Sequence, residues 1–162
     1  MTMMYNRDEP SKSNQHQASH SALLIDSHRR LLGHDLLSPH GNSNQLARKL
    51  YEAPFVVLAH DTASDPVFFY ANRQAQQLFE MTWEQMVALP SRHSAEPLAQ
   101  SERQRLLDRV ARHGYIDDYT GVRISRTGKR FLIERAVVWN LIDQTGTVVG
   151  QAAAFDHWSP LA

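Results

Sequence analysis

Residues 66–79 read Pro-Val-Phe-Phe-Tyr-Ala-Asn-Arg-Gln-Ala-Gln-Gln-Leu-Phe, an apolar run that passes through an asparagine into a helical pattern. The run from Val67 to Tyr70 has the composition of a β-strand. Asn72 can accept a hydrogen bond from a backbone amide of a helix that starts directly after it. The stretch therefore predicts a strand that is joined to a capped helix without an intervening loop.

The flanking sequence extends this junction in both directions. Upstream, an apolar run over residues 55–59 predicts the hairpin partner of the strand. Downstream, Thr82 and Gln85 have the spacing of a capping box and predict a second short helix. A longer helix follows, and Gly114 can end it in a left-handed conformation. The last third of the chain predicts three strands with glycines in their connecting loops, over residues 115–125, 130–142 and 147–155.

This order of elements predicts an α+β fold. A five-stranded antiparallel sheet with helices packed on one face satisfies it, because hairpins join neighbouring strands and the helices connect the two halves. An extra helix over residues 21–37 precedes the core, and its apolar residues fall on one arc of the helical period. Residues 1–20 have almost no aliphatic side chains, which predicts a disordered tail. Residues 21–162 are expected to form a single domain with its core over residues 43–158.

The composition argues against several classes of function. The 162 residues contain 17 Lys plus Arg and 17 Asp plus Glu, so the chain has no net field to hold a nucleic acid or an anionic membrane surface. It contains no cysteine, which excludes disulfides, thiolate nucleophiles, thiolate metal sites and cysteine-based flavin photochemistry. The first ten residues lack a secretory apolar core, and no stretch approaches the ~18 apolar residues of a membrane span. We therefore expect a cytoplasmic protein.

Five motifs carry a family resemblance: Ser27-His28-Arg29-Arg30-Leu31-Leu32-Gly33, Leu50-Tyr51-Glu52-Ala53-Pro54-Phe55-Val56-Val57-Leu58-Ala59-His60-Asp61, Leu78-Phe79-Glu80-Met81-Thr82-Trp83, Leu89-Pro90-Ser91 and Val138-Trp139-Asn140. They resemble the MEKHLA domain, which lies within the PAS-fold superfamily. In plants this family occurs behind a homeodomain and a leucine zipper, and neither pattern is present here, so DNA binding does not carry over. The resemblance implies a module of the PAS type, which binds haem, flavin or a small metabolite, or binds nothing and dimerises. It leaves the cofactor unknown.

One strand offers a candidate ligand anchor. Over residues 130–140 the larger apolar side chains share one face: Phe131, Ile133, Val137 and Trp139. Arg135 falls on the same face, and an arginine that faces a core must be paired, because an unpaired buried charge costs several kcal/mol. Arg135 could therefore hold a ligand carboxylate or phosphate by two hydrogen bonds. A β-bulge at this position, or an internal partner such as Asp117 or Asp118, is the structural alternative.

Further candidate ligand contacts lie on other elements. The predicted set contains Arg135, Arg123, Ile133, Trp139, Ala152, Tyr70 and Asn72. Arg123 lies between apolar residues of the preceding strand. The small side chains of residues 152–154 could leave a cavity at the sheet surface, or a large neighbour could fill that space. Tyr70 and Asn72 also have structural interpretations, as a strand residue with a polar tip and as a helix cap.

No catalytic or metal site is predicted. His16 and His20 have the i, i+4 spacing of two ligands on one helix face, but no third ligand stands at a supporting distance in the sequence. His113 is the candidate haem ligand by position, although the helix dipole alone favours a histidine at a helix C-terminus. An enzyme of the α+β class would use Asp117, Asp118 or His113 as its general base. Exposed carboxylates are ordinary at the start of a strand.

The sequence thus favours a stand-alone PAS-like sensory module that binds a small ligand and is not an enzyme. We expect its signal to leave through dimerisation or a partner protein, with the apolar stripe of the leading helix, residues 24–36, as the contact surface. A ligand-free module that only dimerises is the alternative.

Overall fold

The computed structural model describes residues 5–95 and 100–162. The helices in these ranges are α1 (Ala18–Leu32), α2 (Ser43–Tyr51), α3 (Arg73–Phe79), α4 (Trp83–Met86) and α5 (Gln100–His113). The strands are β1 (Val56–His60), β2 (Phe68–Ala71), β3 (Tyr115–Ile124), β4 (Arg130–Ile142), β5 (Val148–Phe155) and β6 (His157–Pro160). Single 3-10 turns lie at Lys12–Asn14 and Ser91–Ser94. None of the described helices is long and apolar enough to cross a membrane.

The strands form one antiparallel sheet in the order β2-β1-β5-β4-β3. The long β4 has two successive partners on one side, because β5 pairs with its second half and the short β6 pairs with residues 131–134. The predicted fold class is therefore confirmed. The strand β6 adds a sixth element to the five strands predicted from the sequence.

Local sequence signals account for the helix boundaries. Asn42, Asn72 and Thr82 each accept a hydrogen bond from the backbone amide three residues further on, which satisfies a donor that the first helical turn leaves unpaired. The predicted capping box at Thr82 and Gln85 is present in full. Gly33 and Gly114 end α1 and α5 with left-handed φ values of +82° and +87°, as glycine at these positions allows.

Alternating side chains of the central strands feed two hydrophobic clusters, one on each face of the sheet. The outer face consists of the side chains of Val57, Ala59, Trp139, Leu141, Ala152 and Ala154. It packs against α1 and α2 through Leu24, Ile25 and Leu50. The inner face consists of Val56, Ile133, Ala136 and Val138, with the partly buried Leu58 and Ala153 packed against them. It packs against α3 and α5 through Phe79, Leu106 and Val110. Full burial of each large apolar side chain stabilises the fold by ~1.5–3 kcal/mol.

The residues before α1 are ordered against the domain, although the sequence predicts a disordered tail over residues 1–20. The Tyr5 ring stacks on Phe69 with 3.6 Å between ring centroids, and its hydroxyl donates to the carbonyl of Val149. The indole of Trp83 donates to the carbonyl of Arg7 at 2.8 Å. Residues 1–4 lie outside the described part. The average polarity of the segment hides one buried aromatic anchor and the specific hydrogen bonds around it.

A β-bulge in the middle of β4 reverses the predicted alternation. Glu134 and Arg135 together stand opposite the single residue Thr120 of β3, and Arg135 has a left-handed φ of +54°. The Arg135 side chain is exposed. The prediction that Arg135 faces the core is therefore wrong. Beyond the bulge the two faces exchange, so Ile133 faces inward whereas Trp139 faces outward.

Candidate functional site

A cavity of about 60 Å³ lies between the inner face of the sheet and residues of the turn Ser91–Ser94 and of α5. Much of its wall is apolar and comes from Leu58, Phe68, Phe79, Leu106, Ile133 and Val138. One water-sized group needs roughly 10–15 Å³ of such space, so the cavity has room for about four to six non-hydrogen atoms. This is the volume of a very small organic molecule.

Arg123 brings a permanent positive charge to this cavity. It lies on β3 and is only 9% exposed. One N–H of its guanidinium, at Nη1, donates to the carbonyl of Val122 at 3.0 Å. Among the described residues no carboxylate forms an ion pair with it. A guanidinium has five N–H donors and does not lose its charge in proteins, so the part of the chain that the structure describes leaves most of its capacity to bind an anion unused.

The aromatic ring of Tyr119 fixes one side of the guanidinium. The Arg123 Cζ atom lies 5.1 Å from the centroid of this ring, within the range of a cation–π interaction. Gly121 lies between the two residues along the strand, and a Cβ at this position would stand 2.1 Å from the Tyr119 hydroxyl. The absence of a side chain at Gly121 therefore lets the tyrosine ring lie across the strand beside the arginine.

Polar side chains at the edge of the cavity are held by neighbouring groups. Gln151 donates through Nε2 to Asn140 Oδ1 at 3.4 Å. His60 Nδ1 bonds to the carbonyl of Asp61 at 2.8 Å, and because a carbonyl only accepts, this nitrogen carries the hydrogen. Ser94 Oγ donates to the carbonyl of Ser91 at 2.7 Å. The cavity therefore combines apolar walls with fixed polar groups and one buried cation.

The structure brings together three of the residues that the sequence singles out. Arg123 and Ile133 line the cavity directly. Ala152 also belongs to the lining, although its side chain joins the outer cluster, and the neighbouring Ala153 faces inward. Small residues of β5 therefore form part of the cavity wall on the inner face.

Trp139 lies on the other face of the sheet from Ile133, so the prediction that these two side chains share one face is wrong. Tyr70 also lies in the outer cluster, away from the inner cavity. Trp139 is fully buried, and its indole donates to the carbonyl of Leu24 in α1 at 3.1 Å. The Tyr70 hydroxyl is buried near Ser21 without the geometry of a hydrogen bond to it. Burial raises the pKa of Tyr70, which keeps the phenol neutral.

Asn72 is a structural residue whose side chain uses its hydrogen-bonding capacity inside the protein. Its Oδ1 accepts from the amides of Ala75 and Val57, both at 3.1 Å. Its Nδ2 donates to the carbonyls of Leu50 and Phe55 at 3.1 and 2.8 Å. The predicted helix cap is present, and the side chain lies outside the cavity lining.

Arg135 lies on an open surface depression of the outer side with His28, Asp35 and Asp156. This depression is separate from the inner cavity, and no residue is shared between the two linings. The alternative that the sequence left open for Arg135, a β-bulge, is the one that the structure shows.

The residues of the other hypotheses do not converge on the cavity. Asp117, Asp118 and His113 are exposed and absent from its lining. His20 Nε2 bonds to the carbonyl of Asn6 at 2.7 Å, and His16 Nδ1 bonds to Asn44. Burial lowers the pKa of His20, so this ring is held neutral. Within residues 5–95 and 100–162, no three His, Asp or Glu side chains cluster as a metal site would require.

Sequence reasoning missed Tyr119, His60 and Gln151. One signal was available for Tyr119: a glycine inside a strand pattern, here Gly121, marks a place where another group approaches the backbone closely. For His60 and Gln151 no local signal exists, because they meet only through the pairing of β1 with β5.

The chain matches a known protein family over most of its length. The family model of the MEKHLA domain matches residues 18–160. No curated protein matches the chain at a significant level.

Several solved structures have a similar fold. The PAS domain of a protein from Colwellia psychrerythraea is 14% identical and superposes with a TM-score of 0.61, over 72% of this chain and 94% of that one. A light-oxygen-voltage domain studied with a flavin analogue is 15% identical with a TM-score of 0.57, over 73% and 85% of the two chains. An RNA-binding light-oxygen-voltage receptor is 16% identical with a TM-score of 0.61; the match covers 74% of this chain and 34% of the receptor chain. At these identities the likeness establishes the PAS fold.

Proposed function

The chain belongs to the MEKHLA domain family, and from this premise we propose that it is a sensory module whose input is a small molecule bound in the inner cavity. The observation that carries the proposal is a partly open cavity with apolar walls and a few convergent polar groups, which is the usual construction of a ligand site. The site faces α5 and the turn Ser91–Ser94, so an occupant would contact both the sheet and the helices.

The ligand must be smaller than the cofactors of light-sensing domains. One structural neighbour is described with a flavin analogue, and pockets for ligands of that size measure ~300–1,000 Å³. The cavity here measures about 60 Å³. The chain also has no cysteine to react with a flavin. We therefore propose a colourless ligand of a few non-hydrogen atoms.

The proposed route of the signal runs through β4 to the leading helix. Val138 lines the cavity, and the next residue, Trp139, donates to the carbonyl of Leu24 in α1. Further along β4, the amide of Ile142 donates to Ser27 Oγ of α1 at 2.9 Å. A shift of β4 on ligand binding would thus alter how α1 packs against the outer face of the sheet.

The same contacts change the expected mode of partner binding. The apolar stripe of α1 was predicted to contact a second copy or a partner protein. Two of its residues, Leu24 and Ile25, are buried against the chain's own sheet instead. A second copy or another protein would meet the exposed side of α1, or would replace α1 on the sheet. The balanced charge of the chain gives no reason to propose a nucleic-acid partner.

Native mass spectrometry and an absorption spectrum of the freshly purified chain test the proposal. We expect no visible absorption band and a small additional mass that disappears on denaturation. A chain at its bare mass whose thermal midpoint no small metabolite raises would contradict ligand sensing. It would instead favour the alternative of a ligand-free module that acts through protein contacts alone.

A further inference from the structure

We propose that the inner cavity selects a small monocarboxylate with two to four carbons, whose carboxylate is held by Arg123. This inference rests on the proposed function, because it names the chemical class of the ligand for the same site.

The charge of Arg123 argues for an anion. The side chain is 9% exposed and lines the cavity, and no described carboxylate pairs with it. A buried guanidinium without an anionic partner is costly, and a bound carboxylate would remove that cost through charge-assisted hydrogen bonds. The planar fork of donors matches the two oxygens of a carboxylate.

The size and walls of the cavity argue for a short alkyl chain behind that carboxylate. Space for about four to six non-hydrogen atoms corresponds to acetate, propionate and butyrate. Phe68, Leu106 and Ile133 offer an alkyl chain apolar contacts. Inorganic phosphate has a similar size but no apolar part, and it would place its remaining oxygens against these side chains without donors.

The neighbours of Arg123 hold the cation ready for its ligand. The ring of Tyr119 lies against the guanidinium at 5.1 Å, and the carbonyl of Val122 accepts one of its N–H groups. These two contacts restrict the side chain before a ligand binds, so little conformational entropy is lost on binding. Neither contact neutralises the positive charge.

The test is a titration of the full chain with matched charged and neutral probes, followed by amide chemical shifts in NMR. The probes are sodium acetate, propionate and butyrate, their neutral isosteres acetamide, propionamide and butyramide, and inorganic phosphate. All are measured at constant ionic strength, in a buffer without carboxylates. We expect the carboxylates to shift residues that line the cavity and to bind at least tenfold more tightly than the amides.

Variants assign the effect to one arginine. Arg123→Gln should weaken carboxylate binding roughly tenfold to hundredfold, the range expected for hydrogen bonds to a charged group. Arg135→Gln is the matched control, because this exposed arginine lies outside the cavity, and its binding should equal that of the unaltered chain. Comparison of acids with amides in the unaltered chain tests the same point even if Arg123→Gln folds poorly.

Each remaining outcome contradicts a specific part of the inference. Equal binding of amides and carboxylates would overturn the anion preference and leave ligand binding intact. Tight binding of phosphate would overturn the requirement for an alkyl chain, and loss of binding in Arg135→Gln alone would move the site to the outer depression. A chain that carries a retained small molecule but responds to none of the probes overturns the carboxylate class only. A bare chain that responds to none overturns the proposed function as well.

Discussion

At the scale of single residues, Asn72 contributes more to the fold than its role as a helix cap suggests. Its oxygen accepts from the first turn of α3 and from β1, and its amide nitrogen donates to the carbonyls of Leu50 and Phe55. One fully buried side chain therefore joins α2, β1 and α3. Removing it would break four hydrogen bonds to the backbone, and only the carbonyl of Leu50 has a further partner, the amide of Ala53. The loss is therefore more costly than the loss of one cap.

Replacement of Asn72 by alanine should lower the free energy of unfolding by about 3–5 kcal/mol, because several buried donors and acceptors become unsatisfied. Urea unfolding followed by circular dichroism measures the change. Asn42→Ala is the matched control: Asn42 also caps a helix but is exposed, so it should cost about 1 kcal/mol. Equal losses for the two variants would show that capping alone accounts for Asn72.

Replacement of Gly121 by alanine should disturb β3, because the added methyl group has no room. A Cβ there would stand 2.1 Å from the hydroxyl and 2.6 Å from Cζ of Tyr119, so the ring must leave its place beside Arg123. Gly121→Ala should lower the free energy of unfolding by about 1–3 kcal/mol, typical of overpacking, and should weaken carboxylate binding. Thr120→Ala, at the neighbouring exposed position, is the control for both measurements and should change neither.

The individual site residues show how far the sequence could predict this site. Ile133 could be placed on the inner face because simple alternation holds before the bulge of β4. Arg123 was ambiguous, because it lies between two apolar residues, and only the structure places it in the cavity lining. Arg135 and Trp139 were misplaced because one additional residue in β4 exchanges the two faces, and alternation does not reveal where a bulge falls. The candidate site as a whole depends on strand pairing, which local patterns do not specify.

At the scale of elements, the caps and hairpins of the domain could be read from the sequence, whereas the segment before α1 could not. The boundaries of α2, α4 and β4 follow from Asn42, from Thr82 and from the long apolar alternation. The segment of residues 5–17 is held instead by tertiary contacts. Tyr5 stacks on Phe69, and the ring of His20 stands edge-on to both.

The contact between this segment and α1 should weaken in acid. Burial lowers the pKa of His20 and of His28 below the ordinary value of 6.5. As the pH falls below about 6.5, the unfolded chain therefore binds protons before the folded chain does, and the free energy of unfolding decreases. Above about pH 6.5, the free energy of unfolding should not depend on the protonation of these two histidines. The loss is up to about 1.4 kcal/mol for each pH unit by which a histidine pKa is lowered.

Urea unfolding between about pH 7.5 and about pH 5.5 measures this dependence. His20→Gln keeps an amide donor for the carbonyl of Asn6 but cannot be protonated, so its stability should fall less across the same interval. The carboxyl of Glu80 does not interfere, because its pKa is lowered from 4.5, first by the hydrogen bond from Thr127. An identical pH dependence in His20→Gln would show that His20 does not contribute.

At the scale of the whole molecule, the two hydrophobic clusters share the same strands. Val56 and Val57 are adjacent in β1 but face opposite clusters, as do Val138 and Trp139 in β4. If α1 and α2 lost their packing, the outer face of the same strands that line the inner cavity would be exposed. This arrangement gives a physical basis for coupling between an occupant of the cavity and the leading helix.

The coupling predicts that substitutions on opposite faces act on a single unfolding transition. Leu24→Ala removes a fully buried side chain of α1, and Phe79→Ala removes one of α3. They should lower the free energy of unfolding by about 2–5 and about 3–5 kcal/mol, with tryptophan fluorescence and circular dichroism reporting the same midpoint in each case. Leu23→Ala, at a partly buried position in α1, is the control and should lower the free energy of unfolding by less.

If Leu24→Ala instead gives different midpoints by fluorescence and by circular dichroism, or changes the sedimentation mass without a loss of stability, then α1 is a detachable element available to a partner, as its apolar stripe first suggested. A single shifted transition would mean that a partner must contact the exposed side of α1, so the proposed ligand signal would have to reach that partner through a change in how α1 packs on the sheet.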